Sequence, residues 1–446
     1  MRNIFRAVSI VGLLSALHAS SAIAGMPDAG QPQALRLAQA APSPAPAAAA
    51  SEAAQGGAAA ADQCGAPHAF EKRAIAADAA RARAAFALDV LTGLASKSPN
   101  VSVSPFGLSA VLATLDLGAD AAMKKAIAST LRSGEGAGKI EALRRESRLI
   151  NLASARDPRR FASFNGIFAD HRLTLKPGVA DLAKADGEVD LQSIDFASQG
   201  GVDSVNELLA KKTGGRIKSI LEPGSAPLLV VANAFVFKDC WKTPFDKAKT
   251  SNKAFTRADG SKAEPPTMSL VSDGIAWRAS GRFVAVELPY KDENFALTLV
   301  TTQKEPAKLA SFREAIPLMA GIDFAEAKVT LSLPKFGGAT DNDLLDTLSA
   351  MGLKSGLAST NQLPGFADGL VLGRVRQKTW LSVDETGTEA AAVTTAEATR
   401  SAAEQKAVSV NFDKPFVYAL RYRPTGTILM AGYVGDPGGE EGGKKD

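Results

Sequence analysis

The stretch from Thr379 to Tyr418 constrains this chain more than any other. Thr379-Trp380-Leu381-Ser382-Val383 has the β-branched and aromatic content of a strand and meets a turn at Asp384-Glu385-Thr386-Gly387. Thr388 to Arg400 follows without proline or glycine, and Val408-Ser409-Val410-Asn411-Phe412 then restores a strand pattern. The middle segment mixes alanines, which favour helix, with threonines, which favour strand, and has too few large apolar residues for a core. On a two-residue period one face carries Thr388, Ala390, Ala392, Thr394, Ala396 and Ala398, all small and uncharged. The other carries Glu389, Ala391, Val393, Thr395, Glu397 and Thr399. Two readings stay open on these residues: an alanine-rich surface linker, or a strand that can enter a sheet with its small face inward.

At 446 residues, with 46% hydrophobic and 22% charged residues, the chain has ample material for a large core. Residues 1–24 read as a secretory signal: Arg2 and Arg6 form a basic start, Ala7 to Leu17 an apolar run, and Ala22-Ile23-Ala24 a small-residue cleavage site. That run is too short to span a membrane and no other apolar stretch reaches spanning length. A secreted or periplasmic protein is the expectation. The 51 Lys+Arg, two of them in the leader, nearly balance 47 Asp+Glu, and basic residues are not interleaved with aromatics, so nucleic acid is not an expected partner. Cys64 and Cys240 are the only cysteines. An exported context permits a disulfide, although their wide separation in sequence does not show that they meet.

Residues 25–64, rich in Ala and Pro, bury too little to offset chain entropy and read as a disordered spacer. A domain is expected over 65–438, followed by a flexible tail over 439–446. It opens with a helix from about Ala69 that presents Phe86, Val90, Leu91 and Leu94 on one face. A short strand at Val101–Val103 follows, then helices over Gly107–Leu117, stopped by Gly118, and over Ala122–Leu131. Gly134 to Lys139 resembles a phosphate loop, but only three residues separate Gly134 from Gly138 where the motif needs four, and Ile140 stands where Ser or Thr would bind magnesium; it reads as a flexible loop. Phe164–Phe168 gives a strand, and Val205–Leu221 a helix followed by a turn. Beyond Pro227 strands dominate: Leu228–Phe237, Phe283–Pro289, Phe295–Thr301, Val329–Leu333, Thr379–Val383, Val408–Phe412, Phe416–Arg423 and Ile428–Val434. One helix at Leu344–Met351 interrupts them. Helices first and strands later make the fold class α+β.

Ordinary catalytic chemistry finds little support. His18 leaves with the leader, His68 lies beside the spacer and His171 falls in a polar turn. No G-x-S-x-G elbow occurs, and no His, Cys and carboxylate cluster has metal-ligand spacing. Neither metal nor cofactor is expected, and the chain does not read as an enzyme.

Several segments, taken in order, resemble the serpin family, over residues 70 to 437. They are Asn100–Pro105 with Leu117-Gly118-Ala119; Val205-Asn206 through Thr213-Gly214-Gly215-Arg216-Ile217; Asn233-Ala-Phe-Val-Phe-Lys238-Asp-Cys-Trp241-Lys-Thr-Pro244-Phe245; Leu288-Pro289-Tyr290-Lys291; Leu333-Pro334-Lys335-Phe336; Val383-Asp384-Glu385-Thr386-Gly387-Thr388-Glu389-Ala390-Ala391-Ala392; and Asp413-Lys414-Pro415-Phe416. The sixth looks like the hinge of an inhibitory serpin. The resemblance implies three β-sheets, eight to nine helices and an exposed reactive-centre loop. It implies a monomeric, inhibitory-type member acting on a serine protease, and the leader and spacer suggest a bacterial exported one. The loop would be cut as bait, and hinge residues 387–396 would insert into the main sheet and trap the acylated protease. A non-inhibitory carrier serpin is the alternative.

By resemblance the hinge comprises Glu385, Gly387, Thr388, Glu389, Ala390, Ala391, Ala392 and Thr394, and Glu385 is expected to pair with Lys335. The sheet-opening region comprises Ser104, Asn233, Gln377, Trp241 and Lys335. Gly107 stands where the family commonly has serine, Gln377 where it has histidine, and Leu208 where it has tryptophan. Gln377 is expected to hydrogen-bond towards Ser104 and Asn233. Counting from Glu385 by the usual family spacing puts the reactive bond at Ser401-Ala402, and a count one residue shorter puts it at Arg400-Ser401, the choice favoured here. Arginine suits a trypsin-like pocket with a buried acid, with elastase- or subtilisin-like enzymes next.

Overall fold

A computed structural model describes residues 76–95, 98–133, 137–156, 160–224, 227–388 and 407–438. Residues 1–75, 389–406 and 439–446, with short stretches at 96–97, 134–136, 157–159 and 225–226, lie outside these. The described chain runs α1 (Ala77–Leu94), β1 (Asn100–Val103), α2 (Pro105–Gly118), α3 (Ala121–Thr130), α4 (Ala137–Arg156), β2 (Phe161–Asp170), α5 (Val179–Gly187), β3 (Asp190–Ile194) and α6 (Gln199–Lys212). It continues with β4 (Leu229–Phe237), β5 (Asp239–Cys240), β6 (Ser251–Asn252), β7 (Phe255–Thr256), β8 (Lys262–Ala263), β9 (Pro266–Ser280), β10 (Phe283–Pro289), β11 (Phe295–Thr302) and α7 (Ile316–Met319). The remainder is β12 (Ala325–Pro334), β13 (Phe336–Asp343), α8 (Leu345–Ala350), β14 (Arg374–Val383), β15 (Gly387–Thr388), β16 (Val408–Asn411), β17 (Phe416–Tyr422) and β18 (Thr427–Val434).

These elements make an α+β fold with eight α-helices and three sheets, of nine, seven and two strands, among the described residues. The nine-stranded sheet runs β1-β18-β17-β11-β10-β9-β12-β16, with β6 on β9. The seven-stranded sheet runs β3-β2-β4-β14-β15-β5, with β13 on the other side of β14. β9, at fifteen residues longer than any other strand among the described residues, pairs with both β10 and β12.

β4 is buried along its whole length, which is why its sequence is apolar at every position but Asn233 rather than alternating. Phe235 and Phe237 pack behind the sheet with Phe161, Tyr290 and Phe295. Val230, Ala232, Ala234 and Val236 pack in front, against Val202, Val205 and Leu209 of α6. β14 is half-covered and alternates accordingly: Val375, Gln377, Thr379, Leu381 and Val383 are buried, and the residues between them are not.

Two expectations need correction. Ala137-Gly138-Lys139 does not form a loop but opens α4, a twenty-residue helix. Its buried positions are Ile140, Arg144, Ser147 and Ile150, so the apolar stripe is thin. Gly118 is the last residue of α2 rather than a stop before its end, and Phe366 occupies the space where a side chain would stand.

Candidate functional site: the top of the seven-stranded sheet

β4 and β14 are neighbouring parallel strands, with Gln377 opposite Asn233 and Trp380 opposite Val236. Above Val236 they part. The chain leaves β14 at Val383, reverses over Asp384-Glu385-Thr386 and returns as β15, whose two residues lie between β14 and β5. Thr388 pairs with Val383 on one side and Asp239 on the other. The sheet is therefore split at its top by Gly387 and Thr388 and closed below them.

The turn is built by Asp384. Its Oδ1 accepts the N–H groups of Thr386 at 2.8 Å and Gly387 at 3.2 Å, while its own N–H donates to the Gly387 carbonyl at 2.9 Å. This is the local side-chain bonding that makes aspartate a turn former. Gly387 is required by the close approach of β5: a Cβ there would lie 2.2 Å from the Asp239 carbonyl oxygen and 2.6 Å from Cys240 Cα. Thr388 is fully buried, its Oγ1 hydrogen-bonded at 2.7 Å to the Tyr290 hydroxyl. Burial holds the Tyr290 phenol well above its usual pKa, with the Thr388 hydrogen bond opposing the shift and the Asp239 charge adding to it. The ring stays neutral.

Trp241 anchors the turn from the side. Its ring stacks on Tyr290 with centroids 4.5 Å apart, its Nε1 donates to the Asp384 carbonyl at 2.9 Å, and its backbone N–H donates to Thr386 O. Phe245 N–H takes the Glu385 carbonyl at 2.8 Å. The Glu385 carboxylate is almost fully buried, 4% exposed, and accepts Lys335 Nζ and Thr250 Oγ1, each at 2.8 Å. Burial pushes its pKa up, but the hydrogen bonds from Lys335 and Thr250 outweigh that and hold it below the usual glutamate value.

Below this wedge, a polar crossing joins the two parallel strands. Gln377 Oε1 accepts the Ser104 N–H at 2.8 Å; its Nε2 donates to Ser104 O at 2.9 Å and to Asn233 Oδ1 at 2.6 Å. Asn233 Nδ2 donates to Phe164 O at 3.0 Å and Asn165 Oδ1 at 2.7 Å. Ser104 caps α2, its Oγ accepting the Gly107 N–H, and donates to Leu429 O at 2.7 Å. Gln377, Asn233 and Ser104 are fully buried, so these bonds satisfy groups that would otherwise be orphaned. Ser102, Thr340 and Thr379 add a triangle of hydroxyls 2.6–3.0 Å apart.

A charged cluster underlies the wedge. Arg160 Nε donates to Asp239 at 3.1 Å and its Nη1 to Asp292 at 2.9 Å; Asp239 also accepts from Cys240 N and Asp292 N. Burial raises the Asp239 pKa to about 7, opposed by the Arg160 charge and aided by that of Asp292. Cys240, whose backbone faces Gly387, is disulfide-bonded; the other cysteine of the sequence, Cys64, lies outside the described residues.

The structure thus places Glu385, Gly387, Thr388, Trp241 and Lys335 in one contact network, and Ser104, Asn233 and Gln377 in a second. Glu389, Ala390, Ala391, Ala392 and Thr394, together with Arg400, Ser401 and Ala402, lie outside the described residues. Tyr290, Thr250, Asp239, Arg160 and Asp292 were not singled out from sequence. Tyr290 and Asp239 sit inside quoted motifs, but nothing in the sequence signals that they face the hinge.

The model of the serpin family, serine protease inhibitors, matches residues 81–437. The chain belongs to the serpin family. Serpin-Z1C of Triticum aestivum is 32% identical over 367 residues, covering 77% of this chain and 91% of the wheat protein. Among solved structures, this serpin is similar to Serpin48, described as a highly specific serpin of the insect Tenebrio molitor, with a TM-score of 0.69 at 22% identity, covering 80% of this chain and 97% of the other. It is similar too to thyroxine-binding globulin in complex with thyroxine, with a TM-score of 0.69 at 23% identity, covering 81% and 99%. At such identities the structural likeness speaks for the fold.

Proposed function

We propose that this serpin is a suicide-substrate inhibitor of a serine-type endopeptidase. The target's serine Oγ attacks the carbonyl carbon of the reactive bond, Arg400-Ser401 or, one residue on, Ser401-Ala402. The C–N bond breaks, the new amine takes up a proton, and the target is left as an ester. Insertion of the freed hinge strand into the seven-stranded sheet, the behaviour the family resemblance implies, then outruns hydrolysis of that ester.

One observation carries this reading: the register of the sheet already fits one more strand. β14 keeps the same sequence offset from β4 below the wedge as it keeps from β5 across β15. Admitting a strand therefore needs a separation of about 4.8 Å and no slip. In the proposed inserted form, the pairing that Thr388 begins would, if continued, bring Ala390 between Leu381 and Phe237, Ala392 between Thr379 and Phe235, and Thr394 between Gln377 and Asn233. All three are small and uncharged. Roughly a dozen ladder bonds at about 0.5–1.5 kcal/mol net each would supply of order 10 kcal/mol.

A carrier serpin is the alternative; the seated Gly387-Thr388 and the small residues behind them favour the inhibitor. In this reading the protein is a monomer and not an enzyme, and its target is trypsin-like, with elastase- and subtilisin-like enzymes next. Export, and a bacterial source, rest on residues 1–24 and the Ala/Pro spacer. The test is incubation with trypsin, elastase and subtilisin. SDS-stable complexes are expected, with a released C-terminal peptide beginning at Ser401 or Ala402; clean digestion with no complex would overturn the proposal.

A further inference from the structure

Insertion needs β4 to part from one neighbour and hold to the other. β4 pairs on one side with β2, from Phe161 opposite Phe237 to Ala169 opposite Leu229, and on the other with β14, from Trp380 opposite Val236 to Arg374 opposite Val230. A strand entering below the wedge must break the β14 ladder and leave the β2 ladder intact. Above Phe237 the β2 ladder runs out. The Lys238 N–H still reaches Arg160 O at 2.6 Å, but β5, one residue further on, has only β15 as a ladder partner among the described residues. The strand that first receives the hinge is therefore the one least held by the sheet itself.

Arg160 supplies the missing hold. It stands one residue before β2 and is buried. Its guanidinium reaches Asp239 of β5 at 3.1 Å and Asp292, in the turn between β10 and β11, at 2.9 Å. The Asp292 N–H adds a long bond of 3.4 Å to the same Asp239 oxygen, and the Lys291 N–H donates to Cys240 O at 2.7 Å. One planar fork thus fastens β5 to the entry of β2 and to that turn. Buried charges contribute little stability that apolar side chains of the same volume would not, so the cluster is better explained by what it joins.

We infer that Arg160 is a positioning residue for insertion: by tying β5 to β2 and to the turn before β11, it keeps β4 and β5 together as one edge while β14 moves away. The inference rests on the insertion reading above and deepens it. A loose β5 would follow the hinge instead of receiving it, and the strand would enter more slowly. Asp239 makes the tie adjustable, because burial raises its pKa to about 7 and the protonated acid keeps only a neutral hydrogen bond to Arg160. The groups around it are Arg160 from the β2 side, and Asp292 and the Tyr290 phenol from the β10–β11 side. Lys238 adjoins it in the chain, the Lys242–Glu293 pair is more exposed, and on the hinge side Glu385 is paired with Lys335.

The experiment uses the full chain with trypsin. Denaturing gels give the ratio of serpin cleaved without complex to serpin held in SDS-stable complex, and the rate at which intact serpin is consumed. Arg160→Lys keeps the charge but cannot fork to both carboxylates; it should raise the ratio about three- to tenfold, as the loss of one charge-assisted hydrogen bond from the insertion barrier would, with the rate of consumption unchanged. Asp239→Asn should raise it likewise near pH 8, and wild type should approach Asp239→Asn near pH 6, where its own Asp239 holds a proton. Ile127→Ala, which opens a cavity under α3 among the helices, loses stability without touching the tie and should keep the wild-type ratio. An Ile127→Ala ratio that rises as far as that of Arg160→Lys would reduce Arg160 to a structural role. An Arg160→Lys ratio at the wild-type level, or equal ratios for wild type and Asp239→Asn near pH 8, would also overturn the inference. No SDS-stable complex from wild type with trypsin, elastase or subtilisin would instead sink the insertion reading itself.

Discussion

The side-chain amide of Asn233 occupies the place where a Cβ on Gly107 would stand: the ideal Cβ position is 2.1 Å from Asn233 Nδ2 and 2.4 Å from its Cγ. Asn233 cannot yield freely, because both of its amide atoms are committed, Nδ2 to Phe164 and Asn165 and Oδ1 to Gln377. Gly107 and Gln377, two of the departures from the usual family residues, are thus halves of one arrangement. Glycine makes room for the asparagine, and glutamine supplies the donor that the asparagine oxygen needs.

Gly107→Ser should therefore destabilise this protein, although serine is common there in the family. Forcing Asn233 off its rotamer is an overpacking change, worth about 1–3 kcal/mol. Thermal melting should show a lower midpoint for Gly107→Ser, and adding Asn233→Ala should recover part of the loss. A serine variant that melts at or above wild type would mean that Asn233 has an alternative seat.

Gln377→Ala should cost about 2–4 kcal/mol, because it strands the Ser104 N–H and the Asn233 Oδ1 in a fully buried crossing and leaves the Ser104 carbonyl with the Leu108 N–H alone. Gln377 spans the boundary between β4 and β14, so removing it should also ease their separation. On the proposed function, the capacity to form an SDS-stable complex with a protease should then be lost faster than in wild type on mild warming. Gln377→Glu keeps the acceptor for Ser104 N–H but loses both donated bonds, and should fall below wild type as well.

Asp239 sets a pH dependence whose sign follows from its raised pKa. Its carboxyl holds a proton up to about pH 7 in the fold and only to about 3.8 when free. The stabilisation is complete below 3.8, declines as pH rises through that interval, and is lost above 7. Over that range the wild type should lose stability, by up to a few kcal/mol, relative to Asp239→Asn. Glu385, with its lowered pKa, contributes in the opposite sense, losing its stabilisation as pH falls, so the comparison must be between the two proteins rather than within one. Denaturant midpoints for both from pH 4 to 8 would show the divergence; parallel curves would exclude a proton on Asp239.

How much of this was legible in the sequence depended on which faces are buried. β10 runs from Phe283 to Pro289, as its pattern predicts, because six of its seven residues are buried. β14 extends five residues before Thr379, into Arg374-Val375-Arg376-Gln377-Lys378, where cations on the front face mask the alternation. β13 has no strand signature in Phe336-Gly-Gly-Ala-Thr-Asp-Asn-Asp; it pairs because β14 offers an unbroken edge and Thr340 meets the hydroxyls of Ser102 and Thr379. β9 goes unread for a similar reason, since much of it faces solvent and Gly274 takes a left-handed φ of 70°. At the site, the small face of the hinge was legible from composition. That its first two residues are already seated was not, because the seat is made by Tyr290, Asp239 and Cys240, which are distant in sequence.

That seat makes Thr388 the sharpest point at which to separate cleavage from trapping. Its side chain is fully enclosed and bonded to Tyr290, so Thr388→Arg cannot be accommodated without expelling β15 from the sheet or burying an unpaired guanidinium. The second costs several kcal/mol, and each 1.4 kcal/mol on a barrier slows the step about tenfold. Insertion slowed by two orders of magnitude or more loses the race with hydrolysis of the ester. The variant should be cut at the same bond, verified by the mass of the released peptide, while the SDS-stable complex disappears. Thr388→Ser keeps a hydroxyl within reach of Tyr290 and should retain most of the complex. A Thr388→Arg protein that still formed the covalent complex would show that trapping does not require this residue to stay in the sheet.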